Sequence, residues 1–500
     1  MTNREKIARL NEIADKAGVY ARTAGKLAFD MQCLAPPDGM ERAGQDMAEI
    51  EQVIFELTHS EEYIRLICEL HEDMSDLTEL ERIRIGYDYE HYSRTKNQSP
   101  EFAKQLSLSV SKAYQDWYSA KMAKDFGLFR DSFAELVSLV RKSIDLRDEK
   151  QGTYYDTCLY DYEREGSTED MDRFFDAVRS RVIPLIREIQ ERGKPIRTDF
   201  MKREVAIPVQ EKMSRDILKM EGLRESALVL STTEHPFTTN FGACDVRVTT
   251  HYHEDNFVDN IFTTLHEGGH ALFMQNEPEE FEKNHLEDNM TSAMHECISR
   301  FFENLIGRSE DFIHAIYPEI QKACPGRFDD VSERELYEAV NVASPGLIRT
   351  EADELTYMVH ILIRYELEKG FINGDLSIDE LPGLWREKYQ NYLGVTPEND
   401  AEGILQDMHW SAYFGYFPSY ALGSAYGYQI LRKMEQEMDV FAIVRKGDLS
   451  PLSEWLKLHV FSCASLLKPS EWMIRITGEP FRVEYYLDYL ENKFRSLYKI

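Results

Sequence analysis

Several things are scarce in this sequence, and each scarcity excludes something. Its 500 residues hold seven cysteines, at positions 33, 68, 158, 244, 297, 324 and 463. They are odd in number, widely spaced and contain no CxxC pair. A disulfide framework or a paired-cysteine zinc site is therefore not expected, and reduced cytoplasmic thiols are the simplest reading. Positive charge is equally short: 58 Lys and Arg face 89 Asp and Glu, for a formal net charge of −31. Sustained binding to nucleic acid or to an anionic lipid surface is not expected of such a chain, and a basic patch would have to be local. No apolar run approaches the ~20 residues that span a bilayer. The opening MTNREKIARLNEIADKAG scatters charges where a secretory signal needs an unbroken apolar stretch. Neither a repeat of fixed period nor a low-complexity tract occurs, which removes solenoids and disordered arrays. What remains is a soluble globular class, with 43% hydrophobic residues for a large core and 29% charged residues.

Length alone allows two or three domains or one large helical fold. No linker divides the chain. Helical periodicity dominates, as between Met47 and Leu66, where Ile50, Val53, Ile54, Leu57 and Ile64 recur at spacings near three and four. Roughly two-thirds of the chain reads as helix on this basis, punctuated by turns such as Ala35-Pro36-Pro37-Asp38-Gly39 and Asn373-Gly374-Asp375. One region breaks the pattern. Leu228 to His253 is rich in Thr and Val, and Asp245-Val246-Arg247-Val248-Thr249 alternates with period two, which predicts a short strand. Val246 and Val248 would face the core, with Asp245, Arg247 and Thr249 on the other side.

Beyond the strand, Ile261 to Phe273 contains His266-Glu267-Gly268-Gly269-His270, an HExxH sequence within a helical stretch. At 3.6 residues per turn the two histidines stack one turn apart and can offer imidazole nitrogens to one metal ion. Glu267 projects about 100° round the axis, where it can hold and deprotonate a metal-bound water. Phe262 and Phe273 continue the histidine face, which predicts an enclosed site. The plain alternative is a helix with two satisfied histidines. Against it stands the Gly268-Gly269 pair, which costs up to roughly 2 kcal/mol relative to alanines in mid-helix and implies that something passes close to the backbone.

A catalytic zinc takes three protein ligands and leaves a position open. The extended HExxHxxGxxH pattern fails, because Phe273 and Asn276 stand where Gly and His would be needed. The third ligand must come from further on. A helix expected from Asn289 to about Ile306, stopped by Gly307, carries Met294-His295-Glu296-Cys297-Ile298-Ser299-Arg300. Glu296 is preferred there, but spacing alone leaves His295 and Glu303 open. The plain alternative for Glu296 is an exposed residue paired with Arg300 at i+4.

These residues carry a family resemblance. Six motifs occur in order: His235-Pro236-Phe237, DxRxT at Asp245 to Thr249, HExGH at His266 to His270, His295-Glu296, IRxxAD at Ile348 to Asp353, and GxxQDxHW at Gly403 to Trp410. Together they resemble the carboxypeptidase Taq family of metallocarboxypeptidases. Pro36-Pro37 before Arg42 and Phe414-Gly415-Tyr416-Phe417-Pro418 extend the likeness over nearly the whole chain. The resemblance implies a mainly α, zincin-like fold with a deep substrate groove and a small β-sheet beside the metal site. It implies one domain over residues 1–500, two helical lobes flanking the groove, and a homodimer. It assigns the metal to His266, His270 and Glu296, with one Zn2+ per chain and Co2+ as the alternative, and general-base chemistry to Glu267. The chain departs from the family where Cys297-Ile298 replaces the usual Ser-Gln, which puts a polar contact around the metal in doubt; Cys297 itself reads as a buried structural thiol. Phe29 stands where a Trp is common, a change of packing.

A carboxypeptidase must recognise a free terminal carboxylate, and a guanidinium can give it two parallel hydrogen bonds. Arg349 is the lead candidate, against a structural pairing with Glu351, Asp353 or Glu354. Arg247 is second, with a pairing to Asp245 as its plainer role, and the strand could hydrogen-bond an extended peptide. His409 and Tyr420 suit donation to an oxyanion, as the resemblance also implies, while Tyr413, Tyr416 and Phe417 read as aromatic core. His235 either shapes the groove or is a turn residue before proline. The expected reaction is hydrolysis of the last peptide bond of peptides, with broad specificity. An oligopeptidase or dipeptidase of the same metal chemistry, or a catalytically silent peptide-binding relative, are the alternatives.

Overall fold

The structure, a computed structural model, describes residues 1–287 and 289–500. It is 70% helical with one three-stranded sheet, close to the proportion that periodicity implied. No helix among the described residues is long and apolar enough to cross a membrane. The chain divides into two compact units, each assembled from three separate stretches.

One unit comprises Met1–Ser93, Lys202–Met290 and Lys446–Leu467. Its first helix, Asn3–Cys33, starts on a Thr2 capping box closed by Glu5 and buries Ile7, Leu10, Ile13, Ala14 and Ala17 at helical spacing. Of these, Ile7, Leu10 and Ile13 meet Leu66, Ile67, Leu70, Leu77 and Ile85 in one apolar cluster. The periodic run Met47 to Leu66 is two helices, Met40–Thr58 and Glu61–Glu72. The break falls where the Ser60 hydroxyl accepts from the Tyr63 amide and begins the second helix; periodicity carries across such a cap and so conceals it.

The sheet also lies in this unit. Its strands β1 (Leu228–Thr232), β2 (Thr238–Asn240) and β3 (Val246–Thr250) run in the order β1-β3-β2. Strand β3 is central, parallel to β1 with Leu228 opposite Val246, and antiparallel to β2 with Thr238 opposite Val248. Val246 and Val248 are fully buried, as alternation predicted. Thr249 is buried too, because its hydroxyl bonds the Phe237 amide and carbonyl.

The second unit comprises Arg94–Met201, Thr291–Arg445 and Lys468–Ile500. The Glu354–Asn373 helix runs through its interior and is buried nearly all round, polar residues such as His360, Arg364 and Glu368 included. Its Phe371 packs with the rings of Phe133, Trp410 and Phe414 at centroid distances between 5.1 and 6.0 Å. The helix expected from Asn289 begins instead at Ser292, where Thr291 caps it. After Arg300 it widens into a π-helical turn, Phe301–Ile306, before Gly307. Such turns often mark functional sites.

Candidate active site

The HExxH sequence sits in the Phe257–Asn276 helix, which packs against β2, β3 and the Ile207–Met220 helix. The rings of His266 and His270 lie 4.9 Å apart and nearly perpendicular, the outcome of an i, i+4 spacing. Glu267 is buried. The Thr238 hydroxyl of β2 lies 2.7 Å from its Oε2 and 3.0 Å from its main-chain oxygen, so the small sheet helps to hold this carboxylate. Phe262 and Phe273 are buried, as an enclosed histidine face requires. The glycine pair has a physical reason as well. A Cβ on Gly268 would collide with Glu221 Oε2, so only glycine admits that side chain.

Glu296 is buried on the Ser292–Arg300 helix. Arg300 Nε donates to its Oε1 at 2.8 Å, and the Ser299 hydroxyl lies 3.2 Å from its Oε2. The i+4 pairing with Arg300 is therefore real, but the exposure that went with it in the plain alternative is not. Gly423, on the Phe417–Glu435 helix, makes room for this side chain: a Cβ there would come within 2.9 Å of Glu296 Cγ and 3.0 Å of its Cβ. Cys297 is fully buried, its thiol donating to the Met294 carbonyl at 3.1 Å, and burial pushes its pKa far up. It behaves as a packing residue.

The donor atoms of His266, His270 and Glu296 all lie within 4.8 Å of one another. Two imidazoles and a carboxylate are the donor set of many catalytic zinc sites, so this trio could hold a metal ion. The residues present fit the group.

Arg349 is buried, and its partner is Asp407, not the neighbouring acids. Asp407 Oδ1 accepts from Arg349 Nε at 2.8 Å and lies 2.7 Å from Nη2, while Oδ2 accepts from Arg364 Nε at 2.7 Å. Burial alone would raise the Asp407 pKa; Arg349 and Arg364 overcome it and hold the carboxyl well below its usual range. Asp353 instead caps the Glu354–Asn373 helix, and Glu354 pairs with Lys493 at 2.6 Å. Two guanidiniums on one carboxylate leave this buried group with a charge of +1.

His409 Nε2 lies 3.2 Å from the Tyr420 hydroxyl, and its ring stacks on Phe417 at 4.5 Å. Burial pushes the His409 pKa down to about 4, against the pull of Asp407 and with the help of Arg349 and Arg364. The Tyr420 phenol is pushed far up, first by burial and then by Tyr416. Both groups are thus neutral at neutral pH and able to donate a hydrogen bond. Tyr413 is exposed, unlike the core role expected of it; Phe417 is buried and Tyr416 partly so.

Arg247 makes a two-point pair with Asp245, at 2.9 and 3.2 Å, and its guanidinium lies over the rings of Phe29 and Phe241. His235 is exposed in the bend after β1. Sequence reasoning passed over Thr238, Arg364, Asp407 as a charge partner, Glu221 and Gly423. Of these only Thr238 and Asp407 had a signal, each lying within or next to a motif.

A helical fold that gathers two histidines of an HExxH helix and one further glutamate points to a metallopeptidase. Comparison with known proteins gives the group: the chain belongs to the Carboxypeptidase Taq (M32) metallopeptidase family, whose model matches residues 9–494. It is 36% identical over 481 residues to carboxypeptidase 1 of Bacillus subtilis (strain 168), covering 96% of each chain. To thermostable carboxypeptidase 1 of Pyrococcus furiosus it is 30% identical over 472 residues, 94% of each. The crystal structure of an M32 carboxypeptidase from Deinococcus radiodurans R1 superposes with a TM-score of 0.95 at 28% identity, covering 99% of this chain and 100% of that one. The chain is thus a metallocarboxypeptidase that acts on peptides.

Proposed function

We propose that this enzyme releases C-terminal residues from peptides of varied sequence, with His266, His270 and Glu296 holding one zinc ion, or cobalt in its place. A divalent ion there would supply Lewis-acid polarisation of the scissile carbonyl. Glu267 takes the proton of the attacking water and returns it to the leaving amine, its carboxylate steadied by Thr238. Arg349 clasps the terminal carboxylate of the substrate, a role that would neutralise the charge of +1 it shares with Arg364 and Asp407. His409 and Tyr420 donate to the oxyanion as it forms. Arg247, already engaged by Asp245, and the exposed His235 make outlying contacts with the peptide. Residues 1–500 act as one catalytic domain, a reading favoured by the interleaving of both units along the chain and by a family model that runs through both. The resemblance favours a homodimer, and seven widely spaced cysteines, all free, favour a cytoplasmic location.

The observation that carries this reading is the approach of His266, His270 and Glu296 donors to within 4.8 Å, with Glu267 between the two histidines in sequence. A mixed peptide set incubated with and without a chelator, read by mass, tests it. Ladders of single C-terminal losses that stop with chelator are expected; internal cuts or release of larger pieces select the oligopeptidase, and no cleavage the silent homologue. Glu267→Gln should lower kcat by about 10³-fold with metal content unchanged, and full turnover in that variant would remove Glu267 as the base.

A further inference from the structure

Tyr357 lies on the Glu354–Asn373 helix, in IRxxAD's first downstream turn, and is buried. Its two ends touch two different guanidiniums. The ring face lies under Arg300, whose Cζ is 4.3 Å from the centroid, and Arg300 is the residue that donates to Glu296 Oε1. The hydroxyl accepts from Arg349 Nη1 at 3.2 Å. Arg300 also donates to Glu303 at 3.1 Å, which lies in the π-helical turn. Arg349 has Asp407.

We propose that Tyr357 is a positioning residue with two separable duties. Its ring seats Arg300 and so sets the Glu296 carboxylate, while its hydroxyl aims Arg349. This rests on the reading above that Glu296 is a metal ligand and Arg349 the carboxylate clasp. The physics of the two ends differs. A cation over an aromatic face depends on the π surface and is kept by phenylalanine. A charge-assisted hydrogen bond depends on the oxygen and is lost with it. Outer groups that orient a ligand commonly alter metal affinity 10- to 100-fold, so the ring should matter to the metal and the hydroxyl to the substrate.

The experiment compares Tyr357→Phe with Tyr357→Leu in the full-length protein. Metal affinity is read by competition with a chelator, and KM and kcat with a free-acid peptide and its C-terminal amide. Tyr357→Phe should bind metal as tightly as wild type and raise KM for the free acid about tenfold, with kcat little changed. Tyr357→Leu should do the same to KM and also weaken metal binding about tenfold or more. Arg300→Lys, which tests the same seat without touching Tyr357, should weaken metal binding and leave the KM difference between acid and amide intact. A Tyr357→Phe variant that loses metal as readily as Tyr357→Leu, or one with wild-type KM, overturns the proposal. Failure of the underlying reading looks different. Arg349→Lys would then treat acid and amide as wild type does, or Glu296→Gln would retain metal undiminished.

Discussion

The Phe257–Asn276 and Ser292–Arg300 helices each depend on a contact between a glycine and a carboxylate, but in opposite senses. On the first, the glycine belongs to the site helix: Gly268 receives Glu221. That carboxyl is fully buried, neither of its oxygens has a hydrogen-bond partner among the described residues, and burial pushes its pKa far up. On the second, the carboxylate belongs to the site: Glu296, bonded by Arg300, is received by Gly423 of the neighbouring helix. The same device serves two ends. One fixes the backbone of the motif helix against its own unit, and the other fixes a functional side chain.

Breaking the first contact should have the larger effect. Gly268→Ala drives a Cβ into Glu221 and should cost about 3 kcal/mol, read as a lower thermal midpoint. The double variant Gly268→Ala/Glu221→Ala should recover most of the loss, since it clears the space and removes an unpartnered buried acid. If Gly268→Ala alone melts like wild type, the contact does not constrain the helix. Gly423→Ala should cost less stability, about 1 to 2 kcal/mol, but weaken metal binding about tenfold in a chelator competition. Unchanged affinity there would reduce Gly423 to ordinary packing.

A third buried carboxyl, Glu368, sharpens the comparison because it does have partners. It accepts from the Gly415 amide at 3.1 Å and the Tyr155 hydroxyl at 3.1 Å. Burial nevertheless pushes its pKa up to about 8. The native state therefore keeps a proton that the unfolded chain gives up, from the ordinary carboxyl range to about pH 8. Its contribution to stability is full below that range and is lost as pH rises towards 8, by up to about 1.4 kcal/mol per unit. Between pH 5 and 8 the thermal midpoint of wild type should fall relative to Glu368→Gln; parallel curves would show that Glu368 does not hold its proton. The smallest effect is expected of Thr238→Ala, which removes one hydrogen bond from Glu267. Stability should drop by about 1 kcal/mol and kcat by less than tenfold, with metal content unchanged.

Legibility in the sequence followed the reach of each interaction. The pairing of His266 with His270 and the alternation of Val246 and Val248 depend on local geometry, and both were readable from spacing. Glu296 was readable only as one of three, because a carboxylate from another helix leaves no periodic trace; the family resemblance chose it. The charge partner of Arg349 was missed in favour of acids two to five residues away. Its actual partner lies 58 residues on, and nearness in sequence says little about a buried ion pair. Helix limits were blurred where a capping serine or a π-helical turn left the apolar period intact.

The amino-acid order by itself thus determined the helical class, the central strand, the stacking of the two HExxH histidines and the place of Glu267 beside them, since each needs only the fixed rise and turn of a regular backbone. Tertiary structure alone decided that Asp407 stands between two arginines and that Tyr357 touches both Arg300 and Arg349. Those outcomes depend on side chains far apart in the chain being desolvated together, and a buried charge takes whichever partner the packing brings to it.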